Sequence, residues 1–343
     1  MSASPTVDRP APAPTPAGAG QGAGLSILWK TREVSTLFVL ALEVLFFTWY
    51  LWPEGDRAHP FFNLNNGVLI LKYSALYGIA AIGAAMVIIS GGVDLAPGAV
   101  MALSGVVTGS LFVQSGLPLG VSVAAGLAIG ILAGALSAVL VTAVRLPPFI
   151  ATLGVMGIAR GAGFIITEGR YFDLSSRIPA GWRPFGIPAD WLAPIILLVL
   201  AVAFQMLMTG FQWGRAVFAI GGNETAALFS GIRVGRVKAS VYVIAAFLAS
   251  LSGIILVTVQ GQGRADLATG YELDIIASSV VGGASLSGGR GSVVGAVLGT
   301  LIFGVLRNAL PQIPGATFYD RLIVGVVVVV IVVVDQFIVR KGG

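Results

Sequence analysis

The sequence has no cysteine and a single histidine, His59, and only 10% of its 343 residues are charged. Without cysteine there can be no disulfide, thiolate metal site or cysteine nucleophile. One histidine cannot build a metal cluster, and His59, in a short polar loop, is expected simply to be solvated. Catalytic signatures are missing as well: the chain contains no GxxxxGK[ST] phosphate loop, no HExxH metal pair and no GxSxG nucleophile elbow. If the protein uses ATP, another chain must hydrolyse it. The scarcity of charge excludes an ordinary soluble domain, in which about 25% of residues are charged. An apolar content of 56% excludes a disordered chain.

What the sequence does have is a mean hydropathy of +0.94 and 47 glycines. Long apolar stretches are what the hydrocarbon core selects, and small residues let helices approach where no hydrophobic effect drives them together. The fold class is therefore all-α: a polytopic integral membrane protein. Residues 1–24 are rich in Pro, Ala and Gly, and a disordered tail is expected over 1–33. The first apolar run starts near Val34, too late for a cleaved leader. Ten spans are drawn at 34–52, 66–90, 97–115, 120–143, 149–167, 192–209, 239–259, 273–288, 291–310 and 319–338, followed by a short tail over 339–343. The eighth ends in GGASLSGGR and is expected to be broken or re-entrant, which is tolerated only where protein or water surrounds the backbone. With both termini cytoplasmic, eleven basic residues fall inside and seven outside, and the cluster Arg215, Arg233, Arg236 and Lys238 places the 210–238 loop inside.

Two glycine rows, Gly126, Gly130, Gly134 and Gly291, Gly295, Gly299, each occupy one helix face at a spacing of four. Close helix packing is the reading, with a dimer contact as the alternative. Ionisable groups inside spans point to function unless they are anchored at an interface. Glu43 lies mid-span, Lys72 is placed to snorkel, and Arg160 fits either helix anchoring or pathway lining. The segment SGGVDLAPGAV, residues 90–100, combines Ser90, two glycines, Asp94 and Pro97, so the chain should turn or break there. Asp94 is then expected at a helix N-terminus, either as a plain cap or with a transport role. Ser90, Asp94 and Arg160 are the pathway candidates, and GGASLSGG at 282–289 is a weak echo of the same break.

The 210–238 loop is too long for a tight hairpin. Glu224 to Ser230 can make a short helix with Asn223 as N-cap and Gly231 as stop, a shape suited to docking in a partner's groove or serving as a solvated connector.

From roughly residue 60 to 338 the chain resembles the ribose-type sugar permeases of bacterial ABC importers, relatives of branched-chain amino acid permeases. The resemblance rests on SGGVDLAPGAVMALSG, LPPFIATLGVMGIARG, GRAVFAIGGNETAALFSGIRV and TGYELDIIASSVVGGASLSGGRGSVVGAVLGTLIFGVLRNAL. It departs from the family's pattern at DLAPG, where a serine without the proline is common. The resemblance implies a permease domain over 34–338 in the bacterial cytoplasmic membrane, contacting lipid and paired with itself or a paralogue. It also implies a cytoplasmic ATP-binding subunit, which holds the ATP and Mg, and an extracytoplasmic substrate-binding protein. This chain would hold no cofactor, catalytic residue, metal or nucleic acid. The GGNETAALFSGI segment resembles the loop that engages the ATPase, so Gly222, Asn223, Glu224, Ala227, Ser230 and Gly231 are the coupling candidates. A nucleoside, polyol or autoinducer furanose is an alternative cargo. An ion-coupled secondary transporter is the alternative machine.

Overall fold

The computed structural model describes residues 21–53, 59–178 and 186–319 with scattered positions from 322 to 333, and side chains from Glu33 onward. More than half of the expected tenth span, 319–338, lies outside these residues, and 1–20 and 339–343 lie wholly outside them.

The elements in chain order are α1 (Gln21–Tyr50), α2 (Leu64–Ile89), α3 (Pro97–Gly109, continued by a π turn to Gln114), α4 (Leu119–Thr142) and α5 (Pro148–Thr167), then α6 (Ala189–Gly210), α7 (Gln212–Gly222), α8 (Glu224–Phe229), α9 (Val234–Gln260), α10 (Tyr271–Val281) and α11 (Val293–Ala309). A two-residue ladder pairs β1 (Phe172–Asp173) with β2 (Gln262–Gly263) and ties two connecting loops together. Among the described residues, eight helical stretches are long and apolar enough to cross a membrane. Helices dominate because lipid offers no partner for a backbone amide, so each span must satisfy its own. Start signals are local. Asn63 accepts the Asn66 amide at 2.9 Å to open α2, and Pro97 and Pro148 occupy first turns, where a missing N–H costs nothing.

α9 is the hub, with α2, α3 and α4 packed around it. Glycines set these distances. A Cβ on Gly253 would lie 2.0 Å from the Met101 carbonyl, and one on Gly83 would lie 2.7 Å from the Ala245 Cα. The α4 row faces inward too: Gly126 sits against Thr108 and Ser104 of α3, Gly130 against Ser250, and Gly134 against Ala246 and Val243 of α9. The Ser252 hydroxyl donates across the contact to the Leu76 carbonyl. Outward, α4, α5 and α6 present Leu132, Val139, Ile158, Ile165, Leu198 and Val199, the apolar surface a lipid neighbour accepts.

The eighth span is broken, as its glycine-rich tail implies: it is an eleven-residue helix, α10, about 16 Å long at 1.5 Å per residue and too short to cross. The irregular run 282–292 then leads into α11. Three sequence expectations change. α1 begins at Gln21, inside the stretch read as a tail, although its apolar membrane-length part is Glu33–Tyr50. His59 is not a solvated bystander: its Nδ1 accepts the Phe62 amide at 2.8 Å and the Phe61 amide at 3.2 Å, and its Nε2 lies 2.9 Å from the Thr48 carbonyl. That pattern requires the neutral ring with its proton on Nε2, and it shapes the turn into α2. Lys72, expected to snorkel, pairs with Asp190 of α6 at 2.7 Å.

Candidate coupling segment and the broken helices beneath it

α6 ends at Gly210, and the chain re-enters as α7, which lies against α6 and α9. Gly214 allows this turn, since a Cβ there would meet the Met208 carbonyl at 2.2 Å, and Trp213 Nε1 donates to Ser240 Oγ at 2.8 Å. α8 follows as two short turns. Asn223 is its N-cap, its Oδ1 accepting the Ala226 amide at 2.9 Å. Gly231, at φ +82, ends it, with its amide bonded to the Leu228 carbonyl and the Ile232 amide to that of Ala227. Ala227 is buried with Ile220 and Val234, and Lys238 holds Glu224 at 2.5 Å.

The coupling candidates therefore divide. Asn223, Ala227 and Gly231 build the element. All of the candidates except Ala227 are exposed, and Gly222, Glu224 and Ser230 are those not needed as cap, core or stop, although Ser230 also donates to the Ala226 carbonyl. Beside them, and not among the candidates, Leu228 and Phe229 are 60% and 86% exposed on a polar loop.

Beneath α7 the chain is broken twice. α2 ends at Ile89, and α3 does not begin at the same level. Gly83 packs beside Ala245 and Met101 beside Gly253. Counting along α9 at 1.5 Å per residue, the chain rises roughly 15 Å between Ile89 and Pro97. Residues 90–96 make this climb as non-helical backbone inside the bundle, and α3 starts part-way up. Side chains replace the missing helical bonds. The Leu95 amide donates to Thr152 Oγ1 of α5 at 3.1 Å, and that hydroxyl lies 3.0 Å from the Pro148 carbonyl and 3.3 Å from the Val93 carbonyl. Buried Asp94 accepts the Ala96 amide at 2.8 Å. It is not the helix cap expected from sequence, because the N-cap position is Ala96 and Asp94 closes an Asx turn ahead of it. Ser90 caps α2 and donates to the Val87 carbonyl at 2.7 Å. Thr152 was missed in the sequence, where the one hint was a hydroxyl one turn into an apolar span.

The second break, 282–292, returns to the same end. The Gly289 amide donates to the Ile89 carbonyl at 2.8 Å. Gly221, at the end of α7, is pressed against this bond: a Cβ on it would lie 1.7 Å from the Ile89 carbonyl oxygen and 2.5 Å from the Gly289 nitrogen. A Cβ on Gly288 would lie 2.6 Å from the Gly221 carbonyl. Three backbones, the end of α2, the end of α7 and the second break, thus touch at one glycine junction. Gly291, at φ +149, packs against Ile89 and Ala284, and Gly295 and Gly299 press α11 onto the carbonyls of Gly282 and Ser278. The start of α11 is held from three directions. Ser292 Oγ accepts the Gly295 amide at 2.9 Å and donates to Glu33 of α1 at 2.7 Å, and Gln205 Oε1 of α6 accepts the Val293 amide at 3.1 Å. A cavity of about 480 Å³ opens beside this cluster, with Arg215 and Phe218 of α7 in its wall. Arg160 is not part of this site. Its Nη1 donates to the Ala265 and Leu267 carbonyls at 2.7 and 2.8 Å, so it ties α5 to the loop at the opposite end of α9.

The family model for the permease component of branched-chain amino acid transport systems matches residues 67–332. A ribose import permease of Escherichia coli K12 is 38% identical over 318 residues, covering 90% of this chain and 94% of that one. A fructose import permease of Rhizobium meliloti is 30% identical over 81% of this chain and 79% of its own length. A D-allose transport permease of Escherichia coli K12 is 32% identical over 89% of this chain and 92% of its own. The chain belongs to this ABC importer permease family and is a multi-pass inner-membrane transport subunit without an ATPase site of its own.

Proposed function

We propose that the chain is the membrane-spanning subunit of a binding-protein-dependent importer for a monosaccharide of the ribose type, driven by ATP that a separate cytoplasmic subunit hydrolyses with Mg. The observation that carries this reading is α8: a capped, internally bonded element that keeps Leu228 and Phe229 exposed beside Glu224. A solvated connector gains nothing from holding two apolar side chains in water, whereas a groove in a partner would bury them. Relatives named for ribose, fructose and D-allose support a sugar as cargo. In this reading the α7–α8 face is cytoplasmic, both termini lie on the same side, and the chain makes ten spans. A second permease copy or paralogue completes the pathway, and an extracytoplasmic binding protein delivers the sugar.

The ATPase closes on nucleotide, α8 is displaced, and the glycine junction at Gly221 passes that displacement to the second break by backbone contact. No flexible side chain lies between them to absorb it. Reconstitution with the ATPase and binding protein should give ATP-dependent, vanadate-sensitive sugar uptake, and Leu228→Ala with Phe229→Ala should abolish ATPase binding while the permease still folds. Uptake driven by an ion gradient with the isolated chain would overturn the reading in favour of a secondary transporter.

A further inference from the structure

At the end of the bundle away from α7, the first turns of α2 and the last turns of α11 enclose a cavity of about 500 Å³ with α10. That volume is within the roughly 300–1,000 Å³ of small-molecule sites. Its wall is unusual for this chain. The side chains of Asn66, Tyr77, Tyr271, Arg307, Asn308 and Gln312 converge on it, in a protein otherwise built from Ala, Val, Leu, Ile and Gly.

Three features define the ligand it would take. Arg307 is matched by Asp274 at 2.7 Å, so the wall carries no net charge and an ionic ligand is not selected. Tyr77 and Tyr271 lie 4.5 Å apart, centroid to centroid, and supply flat apolar surface of the kind that covers the C–H face of a sugar ring. The amides are connected but not saturated. Asn66 and Asn308 exchange reciprocal hydrogen bonds at 2.9 and 2.8 Å, and Gln312 Nε2 donates to Asn308 Oδ1 at 3.1 Å. Gln312 Oε1, however, is buried without a hydrogen-bond partner. A buried amide oxygen left bare is costly, and a hydroxyl donating to it removes the cost. On the residue that Gln312 bonds, Asn308 Nδ2 uses one of its two hydrogens on Asn66. One acceptor and one donor on two hydrogen-bonded amides suit a pair of neighbouring hydroxyls.

We propose that this cavity is a recognition site for a neutral polyhydroxylated ring within the permease itself, with Gln312 and Asn308 reading a vicinal diol and the two tyrosines packing on the ring. This inference rests on the sugar reading above and adds to it a selectivity element in the membrane subunit.

The absence of native cysteine makes the test direct. In the assembled complex with its ATPase and binding protein, Leu69→Cys in the cavity wall is labelled with a thiol reagent, with Leu198→Cys on the lipid face as control. Ribose should slow labelling at 69 and leave 198 unchanged. Gln312→Leu should raise the KM for ribose uptake roughly tenfold, the penalty of an unmade hydrogen bond, with the complex recovered in wild-type yield. If Gln312→Leu does not assemble, protection at 69 alone decides. No protection at 69, or an unchanged KM in Gln312→Leu, overturns the cavity site while wild-type uptake stands. Failure of the wild-type complex to import any sugar overturns the sugar reading, and this inference with it.

Discussion

The two broken segments solve the same physical problem by opposite means. Both interrupt a helix within the bundle, where the backbone groups freed from the helix need other partners, and both contain a Gly-Gly pair at or near their start. The first, 90–96, is bonded by side chains: Thr152 from α5, and Asp94 from within. The second, 282–292, is packed mainly backbone against backbone, Gly289 on Ile89 with Gly221 beside them, and side chains enter at its far end, at Ser292. Side-chain hydrogen bonds hold a shape while allowing small rotations. A junction with no side chains transmits contact without slack. The difference assigns the first break to holding α3 at its depth and the second to responding to α7.

The largest effect expected from this contrast is at Gly221. Adding even a methyl group puts carbon 1.7 Å from a carbonyl oxygen that is itself hydrogen-bonded, and the obstructing atoms are backbone. Gly221→Val should cost several times the usual ~1–3 kcal/mol of overpacking and leave no folded permease by detergent thermal unfolding. Gly222→Ala, one residue on, has nothing within 4 Å of the new carbon and should unfold as wild type. Equal behaviour of the two variants would dissolve the junction as a structural idea.

Next in size is the first break. Thr152→Val keeps the shape of the side chain and removes the acceptor for the buried Leu95 amide. An unpaired buried N–H costs about 1–3 kcal/mol, whereas Thr152→Ser keeps the hydroxyl and should recover most of that loss. The measure is the midpoint of thermal unfolding for the three proteins side by side. Smaller still is Gln205→Leu at the second break. It frees the Val293 amide, but Ser292 continues to cap α11, so the loss should be near the low end of cap deletions, about 0.5 kcal/mol. If Gln205→Leu proves worse than Thr152→Val, the second break depends on side chains after all.

Much of this was legible beforehand, and the residues show why. Composition and apolar runs located the spans, because lipid imposes a length and a hydropathy on each. Asn223 and Gly231 were read as the cap and stop of α8, since capping chemistry is local to a few residues. What could not be read were pairings between residues far apart in sequence. Nothing in FIATLG says that Thr152 serves an amide 57 positions earlier, and nothing in the Gly221-Gly222 pair says which glycine is pressed into the junction. His59 was misread although two of its partners, the Phe61 and Phe62 amides, are local; a polar loop does not reveal which of its side chains will fold back onto its own backbone. Asp94 was placed at a helix start by the proline that follows, but the chain spends two more residues climbing before the helix begins.

Asp94 supplies the finest test, because it separates geometry from charge. Its Oδ1 accepts the Ala96 amide, and an asparagine retains an oxygen at that position, so Asp94→Asn keeps the Asx turn. If the first break is held by hydrogen-bond shape alone, Asp94→Asn should unfold within about 0.5 kcal/mol of wild type and import at the same rate. Asp94→Ala, which removes the acceptor, should lose about 1 kcal/mol or more. A drop in uptake in Asp94→Asn, at unchanged stability, would show that the carboxylate does more than bend the chain. It would move the first break from scaffold to pathway and remove the division of labour drawn between the two segments.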